Sequence, residues 1–145
     1  MLFIARNMAV LIDTSFLFAA AFDRDANFER VSRALRTLRN ETRIVPAPVL
    51  NELFYMTMTR MGYQRAVQIF ANTRSAFDIE PLIDADMQRM HQIMIQYSDN
   101  RFDYVDVSIM AVAERLNITR ICTLDERDFR SFRPSHCAYF DLLPA

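Results

Sequence analysis

The 145 residues carry 17 basic and 18 acidic side chains, a net charge of −1, with 52% hydrophobic and 24% charged residues. That is enough apolar material for one folded core, and it argues against both disorder and a general electrostatic pull on nucleic acid. All 17 basic residues are arginine and the one glycine is Gly62, so a Walker phosphate loop, a Schiff-base lysine and a Gly-x-Gly-x-x-Gly dinucleotide fingerprint are excluded.

Residues 1–7 are too short and too interrupted for a signal peptide and read as a loose N-terminal extension. Met8 to Ile12 is a continuous apolar run, the pattern of a buried strand, and it ends at Asp13. Thr14 or Ser15 opens a helix through Phe16, Leu17, Phe18 and Ala21. A second helix, 27–38, has Phe28, Val31, Leu35 and Leu38 at helical spacing. On it, Arg30, Arg33, Arg36 and Arg39 recur every three residues, as a solvated face or as a contact for phosphates or an acidic partner tail.

Arg43 to Val45 is a short strand, and Pro48 suits the first turn of a helix over 47–60. Gly62 breaks the chain before a helix over 63–73. Phe77 to Glu80 reads as a strand closed by Pro81. Asp84 can cap the next helix, which carries Met87, Met90, Met94 and Tyr97 on one stripe. These methionines, with Met56, Met58 and Met61, read mainly as core, with an adaptable groove for a partner helix as the alternative. A helix over 104–116 turns Val105, Ile109, Val112 and Leu116 inward. Thr119 to Thr123 is a strand, 125–129 a turn or short helix, and Ala138 to Phe140 a last strand.

Strands alternating with helices call for a mostly parallel sheet of four to five short strands with helices on both faces, in one domain over 1–145. No run reaches the ~18 apolar residues of a membrane span. Cys122 and Cys137 form neither a disulfide framework nor a zinc site and read as small hydrophobes, which favours a reducing cytoplasm. His91 and His136 lie near no motif.

In such sheets ligands sit beyond the carboxyl ends of the strands. Asp13 directly follows the first strand and Asp125 follows the strand ending near Thr123. Glu52 and Asp106 fall in the first turns of helices that follow strands. Each has an ordinary explanation as a cap or turn residue, weakest for Asp13, which follows an apolar strand, and for Glu52, flanked by Val49, Leu50, Leu53 and Phe54. Together they form an all-carboxylate set. Like charges at close range repel unless a cation joins them, and magnesium or manganese prefers such oxygen donors.

The order of the motifs adds a resemblance. Val10-Leu11-Ile12-Asp13-Thr14-Ser15 resembles the opening strand of PIN domains. Val45-Pro46-Ala47-Pro48-Val49-Leu50-Asn51-Glu52 resembles their second motif, Phe102-Asp103-Tyr104-Val105-Asp106 their third, and Ile121-Cys122-Thr123-Leu124-Asp125-Glu126-Arg127-Asp128-Phe129 their fourth. The resemblance implies a PIN-like three-layer α/β/α sandwich and a divalent-metal-dependent endoribonuclease of the VapC toxin type. It carries over Asp13, Glu52, Asp106 and Asp125 as catalytic residues and metal ligands for Mg2+ or Mn2+. Asp103 and Asp128 become auxiliaries, and Thr14, Ser15 and Thr123 orient a ligand or water. It also implies an RNA substrate such as tRNA, a VapB-like antitoxin and a homodimer. Two other classes stand beside it. One is a PIN-like binding module without metal. The other is a phosphotransfer domain with Asp13 as nucleophile, disfavoured because there is no lysine and Ser15 stands where a second aspartate is expected.

Overall fold

The structure is a computed structural model and describes residues 8–144; the extension expected at 1–7 lies outside them. Strand β1 (Ala9–Ile12) is buried at every position, as its unbroken apolar run requires. Helices α1 (Thr14–Ala21) and α2 (Phe28–Thr37) lead to β2 (Thr42–Pro46). Next come α3 (Ala47–Met61), with Pro48 in its first turn, and α4 (Tyr63–Ala76). Gly62 joins them at φ 88°, a conformation that side chains disfavour. After β3 (Asp78–Glu80), α5 (Asp84–Gln96) and α6 (Tyr104–Leu116) precede β4 (Arg120–Cys122), α7 (Arg127–Ser131) and β5 (Asp141–Leu143).

The five strands lie in the order β3-β2-β1-β4-β5, and every adjacent pair is parallel. From β1 the chain builds outward through β2 and β3, then returns across the sheet to β4 and β5. Right-handed crossovers in the two directions put helices on opposite faces. The direction reverses between β1 and β4, so a crevice opens beyond the carboxyl ends of those two strands. Helix α6, buried continuously from Asp106 to Ala113, is the most deeply covered helix. It closes at Asn117, whose φ of 56° lies in the left-handed region. Among the described residues no helix is long and apolar enough to cross a membrane.

Three sequence expectations shift. The last strand is Asp141–Leu143, not 138–140. Tyr139 is 77% exposed, whereas Phe140 turns into an aromatic cluster with Phe129 and Phe132, so the more apolar segment packs as a loop. The cap of α5 is supplied by Asp86, whose carboxylate accepts from Ile83 N–H at 3.0 Å, and Asp84 lies inside the first turn. Of the α5 methionines only Met90 is buried; Met87 and Met94 reach solvent. Cys122 is buried, as expected, and Cys137 is half-buried.

Candidate active site

The floor of the crevice continues the sheet. Asp13 N–H donates to Cys122 O at 2.9 Å, extending the β1–β4 ladder by one rung, and Thr123 N–H donates to Leu143 O at 2.9 Å, extending β4–β5. Both residues are thus fixed by backbone pairing one step past their strands. Asp13 then has extended backbone angles (φ −87°, ψ 162°) and accepts from Thr14 N–H at 2.7 Å. It is the N-cap of α1, a role the sequence had offered to Thr14 or Ser15. A capping aspartate on a strand end is held in direction as well as position.

Two hydroxyls complete its surroundings. Thr123 Oγ1 donates to Asp13 Oδ2 at 2.8 Å, and Ser15 Oγ lies 3.4 Å from the same oxygen. These hydroxyls are held in turn by backbone amides. Leu124 N–H donates to Ser15 Oγ at 3.0 Å and Asp125 N–H to Thr123 Oγ1 at 3.0 Å. With the amides occupying their acceptor positions, the hydroxyl protons point to acceptors such as Asp13. The sequence suggested Thr123 and Ser15 as orienting groups; the amides of 124 and 125 carried no sequence signal, because any residue supplies one.

Asp106 stands opposite, 6% exposed, on the first turn of α6. Asp103 is the N-cap of that helix and accepts from Asp106 N–H at 2.9 Å. Burial raises the Asp106 carboxyl to about 9, helped by the negative charges of Asp13, Asp103 and Asp128. Asp128, on the neighbouring short helix, is one of the acids that act on Asp106. Burial likewise raises Asp13 to about 6, with Glu52 adding repulsion, while the bonds from Thr123, Thr14 and Ser15 pull the other way. No arginine or histidine nitrogen comes within 4.0 Å of Asp13 or Asp106 among the described residues.

Glu52 is half-buried on the second turn of α3, in a cleft of about 670 Å³ whose walls include Tyr55, Pro81 and Tyr104. Asp125 sits on the same rim with its backbone tied to Thr123, but its carboxylate is exposed and is not among the charges that weigh most on Asp13 or Asp106. The structure therefore links Asp13, Glu52, Asp106, Asp103 and Asp128 electrostatically and leaves Asp125 at the edge. Asp128 acts more strongly on Asp106 than its auxiliary standing in the sequence suggested; the one signal for it was its place in the first turn of a short helix just past the rim.

Do these residues suit a divalent cation? The donors are hard oxygens, two of them buried without a counter-charge, and Thr14 Oγ1 beside them is buried with no hydrogen-bond partner. Among the described residues no three carboxylate, histidine or cysteine groups are gathered into a ready-made metal cage. Magnesium keeps several of its waters and needs only one or two direct carboxylates, so no closed cage is required. The donor set therefore fits magnesium or manganese, and offers nothing to a soft-metal or haem site.

Comparison with known proteins agrees with this geometry. Over 136 residues the chain is 26% identical to Ribonuclease VapC26 of Mycobacterium tuberculosis, covering 93% of this chain and all of that one. The solved structure of VapC20, a Sarcin-Ricin loop cleaving toxin of the same organism, superposes with a TM-score of 0.73 at 19% identity, over 81% of this chain and 90% of that one. VapBC2 from Rickettsia felis, bound to a DNA fragment from its promoter, gives 0.72 at 14% identity over 93% and 98%. Residues 10–133 match the PIN domain pattern, and with the parallel sheet and its acidic crevice, the chain belongs to the PIN-domain family.

Proposed function

We propose that this chain is a divalent-metal-dependent endoribonuclease and the toxin of a VapBC-type toxin–antitoxin pair. The observation that carries the reading is the buried pair Asp13 and Asp106, at the strand-order reversal, with no positive side chain to neutralise it among the described residues. Keeping two acids there without a guanidinium is costly for folding alone and is useful when a cation is the intended partner. Its similarity to a ribonuclease over nearly its whole length supports RNA as the substrate.

Asp13, Glu52, Asp106 and Asp125 would hold Mg2+ or Mn2+, with Asp128 as a further ligand or support for Asp106. When bound, such an ion lowers the pKa of a water and stabilises charge on a phosphodiester oxygen. The chain's own residues do the rest. Thr123 and Ser15 fix the Asp13 carboxylate in one orientation, so its free lone pairs face the crevice. Asp103 holds the first turn of α6 and with it Asp106. Tyr55 and Tyr104, both solvent-exposed and flanking Glu52, offer flat faces for an unstacked base.

A VapB-like antitoxin is part of the same reading, supported by neighbours solved as VapBC assemblies, and a homodimer in a cytoplasmic, single-domain form completes it. Purified protein incubated with tRNA or ribosomal RNA should cut it in Mg2+ or Mn2+ and stop in EDTA. Cleavage that continues in EDTA after metal stripping, or no cleavage under any divalent ion, would end the proposal.

A further inference from the structure

The acidic rim repels the phosphates that the proposed substrate must bring to it, and a net charge of −1 gives no overall attraction. A local counter-charge is therefore needed, and the molecule has one. A cleft of about 780 Å³ runs beside α2 and the β4–β5 edge, lined by Arg30, Arg33, Arg36, Arg39 and Arg120, with no carboxylate among its lining residues. Residues three apart on a helix share a face. Arg30, Arg33 and Arg36 thus form one stripe rising through about 9 Å of helix axis.

The stripe is poised rather than occupied. Arg89, Arg115, Arg120 and Arg130 all have carboxylate partners within 4.0 Å, whereas Arg30, Arg33, Arg36 and Arg39 have none among the described residues. The nearby acid, Glu41, is held by Arg120 at 2.6 Å. One end of the cleft, at Leu143 and Pro144, neighbours the site through the sheet. Arg30 Nη2 donates to Pro144 O at 3.2 Å, Leu143 O accepts from Thr123 N–H, and Thr123 Oγ1 donates to Asp13. One end therefore borders the catalytic floor, while Arg120, the first residue of β4, marks the other pole of the sheet.

We propose that this arginine-lined cleft binds the sugar–phosphate backbone of the RNA substrate, on the side of the scissile bond away from Glu52, and so guides it to the acidic rim. This rests on the ribonuclease reading above. Guanidinium forks match phosphate oxygens in pairs. A line of unpaired guanidiniums beside a ribonuclease site suits the phosphate backbone of its substrate.

The test uses the whole chain in EDTA, so that RNA stays uncut. Binding of a fluorescein-labelled RNA hairpin is followed by anisotropy against salt for wild type, R33Q/R36Q and the surface control R74Q. Arg33 and Arg36 are exposed, so a melting curve should be unchanged. The double variant should bind on the order of tenfold more weakly, with a log K against log salt slope shallower by ~1.4, about 0.7 for each lost phosphate contact. R74Q should behave as wild type. In Mg2+, cleavage of the hairpin should show a raised KM, and cleavage of a dinucleotide, too small to reach Arg33, should not change. Equal affinity and slope in wild type and R33Q/R36Q, or no binding of the hairpin by wild type, overturns the cleft. So does loss of a labelled polyglutamate peptide with hairpin binding intact, which would assign the stripe to an acidic peptide. Failure of the ribonuclease reading shows separately, as wild type that binds RNA in EDTA and never cuts it.

Discussion

Two buried aspartates of this molecule are treated in the opposite way to a third. Asp86, 1% exposed near the start of α5, accepts both from Ile83 N–H and from Arg115 Nε, at 2.9 and 3.1 Å to its two oxygens, and Arg115 also reaches Glu80. The fold supplies that charge with its own counter-ion. Asp13 and Asp106 are nearly as buried, yet their polar neighbours are hydroxyls, amides and further acids. One aspartate stabilises a junction between helices; the other two store unfavourable charge at the end of the sheet. Burial of an acid therefore says little about its role until its partner is known.

Substitutions test the contrast. Asp106→Asn should lower RNA cleavage by ~10³-fold or more, measured by gel in Mg2+, while raising the melting temperature of the metal-free protein. The gain should depend on pH. Asp13 and Asp106 bind protons up to about 6 and about 9 in the fold, against the usual 3.8, so the folded state holds more protons than the unfolded chain in between. Their contribution to stability is present below the usual value and is lost as pH rises through 6 and then 9. The melting advantage of Asp106→Asn in EDTA should accordingly grow from pH 5 to pH 9, and Mn2+ should raise the wild-type melting point most at the alkaline end. An advantage independent of pH would mean that burial does not hold a proton on Asp106.

The opposite result is expected at the satisfied aspartate. Arg115→Ala leaves Asp86 buried without its guanidinium and should cost about 3 kcal/mol in urea unfolding, with cleavage per folded molecule unaltered. A smaller effect is expected of Thr123→Val, which keeps the shape and removes the hydroxyl donated to Asp13. Metal affinity by titration calorimetry should fall roughly 10- to 100-fold. The smallest contrast lies between the two rim acids: Asp128→Asn should impair cleavage more than Asp125→Asn, since the charge of Asp128 acts on Asp106 and Asp125 faces solvent. The reverse order would restore Asp125 as the principal fourth acid.

Features set by local pattern could be read in the chain, and features set by distant meetings could not. Asp13 was legible because an unbroken apolar run can only be a buried strand, and the residue after that run must sit at the strand's end. Glu52 and Asp106 were legible from helix starts after strands. The last strand was misread by three residues, since Ala138-Tyr139-Phe140 has more strand character than Asp141-Leu142-Leu143, and only tertiary packing of Phe140 decides against it. The lattice of Ser15, Thr123 and the amides of 124 and 125 depends on residues 108 and more positions apart meeting at hydrogen-bond range. No local pattern encodes such a meeting. The action of Asp128, rather than Asp125, on Asp106 was hidden for the same reason, because both are acids in the same motif.

The pairing of Thr123 with Leu143 has a consequence for the order of assembly. Strand β5 is the final element of the sheet in chain order and occupies its edge, next to β4. Until residues 141–143 dock, the backbone of Thr123 lacks this anchor, and with it the hydroxyl that aims Asp13. A chain still emerging from the ribosome can already hold Asp13, Glu52 and Asp106 yet lack the rung that sets their geometry. The acidic crevice is thereby complete only once β5 has docked.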